Sequence, residues 1–190
     1  MTSEPSLTLD DIRIGGSRIV ITPHNCFACG SLNAHGLHLE LHAVGERCWT
    51  EVTLDRRFEG WEGIAHGGIV ATILDEVMAW ALVDHDLWGL TARMSVDFRK
   101  PVRIGQPIRG EGRVTGVRRR LVDAEGVLLD GGDGTVLATS HATYVGASEE
   151  RKRELKARYA FRLEPDGTTG RATAGARAAA PGTPEPVEAG

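Results

Sequence analysis

The residues best equipped for chemistry stand in one short run, His66-Gly67-Gly68-Ile69-Val70-Ala71-Thr72-Ile73-Leu74-Asp75-Glu76. Its composition is that of a helix that begins at the glycines. At 3.6 residues per turn, Val70, Ile73, Leu74, Val77 and Ala81 make one bulky stripe, and Gly68, Thr72, Asp75 and Ala79 make a narrow line of small or polar residues on the other side. A carboxylate among apolar neighbours is costly. Asp75 therefore either makes a structural hydrogen bond in a crevice or serves as a nucleophile or general base. Glu76 lies about 100° further round and is expected to be solvated or salt-bridged. At the helix start, Gly67 and Gly68 leave the first N–H groups unshielded at the positive end of the helix dipole. Such a terminus can hold a carbonyl oxygen that becomes negative during acyl transfer; it can also be no more than a tight turn.

Cys26 and Cys29 form a C-x-x-C with His24, His35, His38 and His42 close in sequence and Cys48 further on, so a zinc site has to be weighed. No second C-x-x-C accompanies it, and it does not follow a strand and open a helix as thioredoxin-like redox pairs do. A loop packed near the start of the helix, with no metal and no cofactor, is the expectation. Arg118, Arg119 and Arg120, with Arg99, Lys100 and Arg103, are either solvated strand ends or a place for phosphates. Trp61 and Trp80 are either core or lining of an apolar pocket.

The elements that must position these groups are strands around that one helix, predicted over residues 68–85. Leu37, Leu39, Leu41 and Ala43 alternate with polar residues, the period of a half-buried strand, and residues 48–54 follow as its hairpin partner. Beyond the helix, Ala92, Met94, Val96 and Phe98 alternate likewise until Lys100-Pro101 ends the strand. Three further strands are predicted over residues 108–117, 121–129 and 135–145, the last two joined by the turn Asp130-Gly131-Gly132-Asp133-Gly134. Strands, helix and strands in this order make an α+β domain with a largely antiparallel sheet. Residues 148–163 read as a charged surface helix. From Glu164 the sequence turns rich in Gly, Ala, Pro and Thr, with too little apolar bulk to offset the entropy of ordering, and reads as a disordered tail.

The whole chain sets further bounds. Its 190 residues suit one folded domain with tails. An acidic balance, net charge -4, argues against nucleic acid as a partner. No apolar run reaches the roughly 18 residues of a membrane helix, and the first residues lack the basic and then apolar pattern of a signal peptide, so a cytoplasmic location is expected. Three cysteines cannot all pair within one chain, and reduced thiols follow.

Residues 58–76, Phe-Glu-Gly-Trp-Glu-Gly-Ile-Ala-His-Gly-Gly-Ile-Val-Ala-Thr-Ile-Leu-Asp-Glu, resemble the signature of the hotdog-fold thioesterases, in particular the PaaI-like and 4-hydroxybenzoyl-CoA thioesterase group. Three other features share the resemblance: Cys26 to Gly30 followed by Asn33, Gly36 and Leu37; the strand from Thr91 to Val102 with its Pro-Val pair; and Asp133-Gly134 before the last strand. Together they span about residues 24 to 146, in the order and spacing of that family. The resemblance implies a hotdog fold, a curved antiparallel sheet wrapped around one long buried helix, over residues 24–147 after an extension of residues 1–23. It also implies a homodimer or dimer of dimers with active sites at the interface.

Carried over residue by residue, Asp75 would be nucleophile or general base and Gly67 the oxyanion donor. Thr91 would place the water or the carboxylate, and His66 would orient the thioester. Beside these carried-over roles, Gly68, Trp61, Arg99, Lys100 and Arg119 are, from the residues themselves, the expected contacts to substrate, an acyl-CoA or related acyl thioester, and the resembling segment needs no metal. Position 60 departs from the pattern: some relatives carry Asn where this chain has Gly60. Other branches use Glu as the helix carboxylate; the nine-residue step from His66 points to Asp75. Two other functions stay open, a non-catalytic acyl-CoA binding or regulatory protein and a hotdog hydratase or dehydratase. The second needs a catalytic His motif beyond His66, and none is found.

Overall fold

The computed structural model describes residues 17–165. Its frame is one antiparallel sheet of eight strands in the order β10-β1-β2-β3-β7-β8-β9-β6, where β1 is Ser17–Val20, β2 Leu41–Val44, β3 Arg47–Thr53, β6 Gly89–Phe98, β7 Pro107–Arg118, β8 Leu121–Asp130, β9 Val136–Gly146 and β10 Arg162–Pro165. A small hairpin of β4 (Glu59–Trp61) and β5 (Ile64–Ala65) leads into the long helix α1, Gly67–Ala81, which continues as a 3-10 turn over Leu82–His85. A second helix, α2 (Glu149–Tyr159), follows β9. Sheet and buried helix together are the α+β, hotdog-type arrangement expected. Among the described residues, no helix is long and apolar enough to cross a membrane.

The bulky stripe is what seats α1. Val70, Ile73, Leu74, Val77, Met78 and Ala81 are all buried and share one core with Leu41, Ile108, Val122, Leu128 and Tyr144 from the sheet. The helix comes so close that a Cβ on Gly112 of β7 would stand 2.5 Å from the carbonyl carbon and oxygen of Val77. Only glycine permits that approach, and it fixes the helix against the middle of the sheet.

The predicted strands after α1 appear with their ends moved by one to three residues. In the β8 to β9 turn, Asp130 Oδ1 accepts from Gly132 N–H at 2.7 Å, and Gly134 takes a left-handed φ of 72°. Earlier in the chain the alternation is real in burial but not throughout in pairing. Leu37, Leu39 and Leu41 are all buried, yet residues 37–40 run as a loop: the Leu37 and Leu39 N–H groups donate to Phe27 and Ala28 carbonyls instead of a ladder. Alternating burial can be satisfied by a loop laid over a core as well as by a strand.

Two strands lie outside the range expected for the domain. β1 comes from the expected N-terminal extension, and β10 takes in Glu164 and Pro165, expected in the tail; they pair with each other at the sheet's end, Ile19 opposite Leu163. Each is four residues long, too short for a periodic signal. Beyond Pro165, the expected tail lies outside the described residues.

Helix α2 follows its sequence at the start but ends at Tyr159, short of the expected residue 163, because Ala160 takes a left-handed φ of 35° and Arg162 and Leu163 enter β10. Ser148 Oγ caps it by accepting from Arg151 N–H at 3.3 Å, Glu149 and Glu150 occupy the first turn and Lys156 and Arg158 the last, each complementing the dipole. No residue of α2 is fully buried.

Candidate functional site

The Asp75 carboxylate is partly buried and held from one side. Thr91 Oγ1 donates to its Oδ1 at 2.8 Å from β6, and the Tyr144 hydroxyl donates to the same oxygen at 2.9 Å from β9. Tyr144 also reaches the Asp75 backbone carbonyl at 3.1 Å. Burial, and next the negative charge of Asp75, push the Tyr144 phenol far above its ordinary value, so it remains a proton donor. Oδ2 has no such donor among the described residues, which leaves one carboxylate oxygen anchored and the other available.

The other end of α1 presents the glycines. His66 is the N-cap, and its Nδ1 accepts from Gly68 N–H at 2.9 Å. In the neutral ring Nε2 then carries the proton and is a donor. The Gly68 N–H is thereby engaged, whereas the Gly67 N–H has no acceptor among the described residues. Beside Gly67 runs an apolar groove lined by Trp61, Val70, Phe98, Arg99, Lys100 and Val102. Trp61 is 83% exposed and Phe98 57%, unusual for such large apolar side chains. Gly60 packs directly on His66: a Cβ there would lie 2.9 Å from the His66 Cα. The departure at position 60 thus goes with tight packing of the capping histidine.

Of the residues singled out in the sequence, Asp75 and Thr91 meet in one cluster, while Gly67, Trp61, Arg99 and Lys100 meet in another. Eight helical positions at about 1.5 Å each separate Gly67 from Asp75 by about 12 Å. Arg119 joins neither cluster of this chain. It sits at the tip of the β7 to β8 hairpin with a left-handed φ of 57°, at the Leu121 end of the ladder in which Leu121 pairs with Val145 and Val145 with Leu90. Phe98 and Arg99 are at the opposite end, about 26 Å away for eight extended residues. Trp80 lies away from the groove: it packs edge-on against Trp88 and Phe161, and Trp88 in turn stacks on Tyr159 of α2.

Glu76 departs from its expected solvated or salt-bridged state. It is partly buried, accepts from Trp80 Nε1 at 2.8 Å, and has Cys26 and Cys29 as neighbours, the three ligand-type atoms all within 4.8 Å of one another. Burial, with the charge at Cys26 adding to it, raises its carboxyl to about 7. Within the cysteine pair, the hydrogen bond from Cys29 lowers Cys26 to about 5, and the same bond with burial raises Cys29. The cysteine loop was expected near the helix start; it docks instead two turns further along, where the helix offers Glu76 and the loop carries buried Ala28 and Leu37 into the core.

Tyr144 was not singled out from sequence. Its signal was present: Ala138, Ser140, Ala142 and Tyr144 share the inward face of β9, and a fully buried tyrosine needs a partner for its hydroxyl.

The thioesterase superfamily model matches residues 62–137, which include α1, β6, β7 and most of the hairpin that follows. Among solved structures, a thioesterase superfamily protein shares 25% identity and a TM-score of 0.60, the match covering 64% of this chain and 60% of that one. The chain thus spans less than two thirds of that protein's length. Thioesterase superfamily member 2 from Mus musculus matches with 23% identity and TM-score 0.54, over 57% of this chain and 83% of its own. A Streptococcus mutans UA159 protein bound to acetyl CoA matches with 14% identity and TM-score 0.55, over 58% and 89%. Among curated proteins no match is found.

Proposed function

From the premise that this chain is a hotdog-fold member of the thioesterase superfamily, we propose that it hydrolyses an acyl thioester, an acyl-CoA in the first instance, to the free acid and the thiol. The observation that carries this reading is the Asp75 carboxylate, anchored through Oδ1 by Thr91 and Tyr144 with Oδ2 available. Such a group either attacks the thioester carbonyl or takes a proton from an attacking water. In the second route the water oxygen bonds to the carbonyl carbon as its proton passes to Asp75, and the carbon–sulfur bond then breaks as Asp75 returns that proton to the sulfur, which leaves as the thiol.

Developing negative charge on the carbonyl oxygen needs a donor, and the Gly67 N–H at the positive end of α1 is the free one. The His66 Nε2–H is a second donor to the substrate. Oxyanion donor and carboxylate must both lie within about 3 Å of the same reacting carbonyl. The separation of about 12 Å along one helix therefore favours a site shared by two chains, Gly67 of one and Asp75 of the other, in a homodimer or dimer of dimers. Among the described residues strand β6 has β9 as its one partner in the sheet, which leaves its outer edge for such pairing. The groove beside Gly67 suits an acyl chain on Trp61 and Phe98, with Arg99 and Lys100 at the rim for coenzyme A phosphates; the S. mutans protein that carries acetyl CoA supports that carrier.

The experiment is hydrolysis of a panel of short, long and aromatic acyl-CoAs by the wild-type chain, Asp75→Asn and Gly67→Pro, alone and refolded together. Asp75→Asn is expected to lower kcat by about a hundredfold or more. Mixed dimers of the two variants regain one intact site if the groups come from different chains, so activity recovers to roughly a quarter of wild type. Full activity in Asp75→Asn would end the role given to that carboxylate, and no turnover by the wild type of any thioester that it binds would leave a non-catalytic acyl-CoA binding protein.

A further inference from the structure

The cluster of Cys26, Cys29 and Glu76 plays no part in the hydrolytic scheme. The three residues come from two distant pieces of chain, a loop before β2 and the third turn of α1, and they converge with their sulfur and carboxylate atoms all within 4.8 Å of one another. All three are partly buried. Thiol, thiol and carboxyl are each potential anions, and packing them together under partial burial is costly unless a cation or protons offset the charge.

We propose that Cys26, Cys29 and Glu76 bind a zinc ion that fastens the 26–30 loop to helix α1. Two thiolates and a carboxylate are the donor set that a borderline-soft, tetrahedral divalent ion takes. Tetrahedral bonds of about 2.3 Å place neighbouring ligand atoms about 3.8 Å apart, so atoms already within 4.8 Å reach that geometry by side-chain adjustment alone. Binding releases the protons that Cys29 and Glu76 hold, and the fourth position goes to water.

His24 completes the arrangement as an outer partner. Its Nδ1 accepts from the Cys26 backbone N–H at 3.2 Å, so in the neutral ring Nε2 carries the proton, and this nitrogen stands 3.9 Å from Cys29 Sγ. An N–H directed at a sulfur stabilises it as a thiolate ligand. Gly30 permits the tight turn: a Cβ there would lie 2.4 Å from the Cys26 nitrogen. Cys26 opens onto a cleft shared with Pro23, His24, Asn25, Arg158 and Tyr159, which gives an ion a way in. Cys48 is fully buried and stands outside the ligand set.

The site is independent of the hydrolytic reading and is tested without an activity assay. The reduced full-length chain is titrated with cobalt(II), followed by the near-ultraviolet sulfur-to-cobalt charge-transfer band, and zinc is then added. The expected result is one cobalt per chain, a band of two-thiolate intensity, and its displacement by zinc. Cys26→Ser and Cys29→Ser each reduce the band and weaken binding more than His24→Ala, which is expected to cost about 10- to 100-fold in affinity. Glu76→Gln weakens binding with the two-thiolate band retained. Should the serine variants fail to fold, alkylation of the wild-type chain decides: zinc protects Cys26 and Cys29, identified by mass spectrometry. No charge-transfer band on the reduced wild-type chain, a band unaltered in both serine variants, or no protection of these two thiols overturns the proposal.

Discussion

Thr91 and Asp75, sixteen positions apart in the chain, meet at 2.8 Å between a hydroxyl on strand β6 and a carboxylate on helix α1. Tyr144 brings a second hydroxyl to the same oxygen at 2.9 Å from the neighbouring strand β9. Two donors on one oxygen orient the carboxylate without occupying its other oxygen.

Removing either hydroxyl should therefore loosen the carboxylate without removing it. Thr91→Ala is expected to lower kcat by about tenfold with KM little changed, and Thr91→Ser to retain most activity. Tyr144→Phe keeps the buried ring and loses the donor, so stability should fall by about 2 kcal/mol, the scale of a hydrogen bond to a charged group. Steady-state kinetics with denaturant melts reads both.

The groove beside Gly67 should separate binding from chemistry. Replacing Arg99 and Lys100 together by Ala is expected to raise KM for acyl-CoA several-fold while kcat stays close to wild type, and raising ionic strength should shrink the difference. A drop in kcat instead would place these side chains nearer to the reacting carbonyl than the groove does.

The close seat at Gly112 predicts a large effect from one methyl group. Gly112→Ala brings a Cβ to 2.5 Å from the Val77 backbone, where neither partner is a flexible side chain. A loss of about 3 kcal/mol is expected, whereas Gly105→Ala, where a Cβ meets nothing but φ is 80°, should cost less. Chemical denaturation of the two variants compares them.

Asp86 ties α2 to the end of the main helix through Lys152 at 2.9 Å and through Lys156. The hydrogen bond from Lys152, with that from Lys156, lowers the Asp86 carboxyl below its ordinary value. A lowered carboxylate adds stability that is present above its unfolded value, about 3.9, and is lost as pH falls through the folded value. Asp86→Asn is thus expected to lower Tm by about 2 °C at neutral pH, as suits an exposed pair, with the difference from wild type closing in acid. A difference that persists at low pH would assign the effect to packing.

Much of this was legible from local pattern. The helical period separated the bulky stripe of Val70, Ile73, Leu74 and Val77 from Asp75, and the structure buries that stripe against the sheet. Thr91 came from family resemblance, not from periodicity, because a strand residue carries no mark of the helix it faces. Tyr144 and Asp75 are 69 positions apart, and their contact depends on the register of β6 on β9, where a shift at Thr91 to Arg93 re-aims the strand. Glu76 was misplaced because a helical wheel assigns a face only relative to its own helix. What covers that face is a loop some fifty residues earlier, and nothing local in either segment announces the docking.

The Gly112 seat has one more consequence. With sheet backbone against helix backbone at this point, rolling or sliding α1 would drive Val77 into β7, so the position of Asp75 is steadied by a contact outside the groove. The groove at the other end, walled by the exposed Trp61 and Phe98, carries no comparable constraint. Substrate preference should then be re-engineerable at those two walls, exchanging one acyl group for another, while the reaction itself is left as it stands.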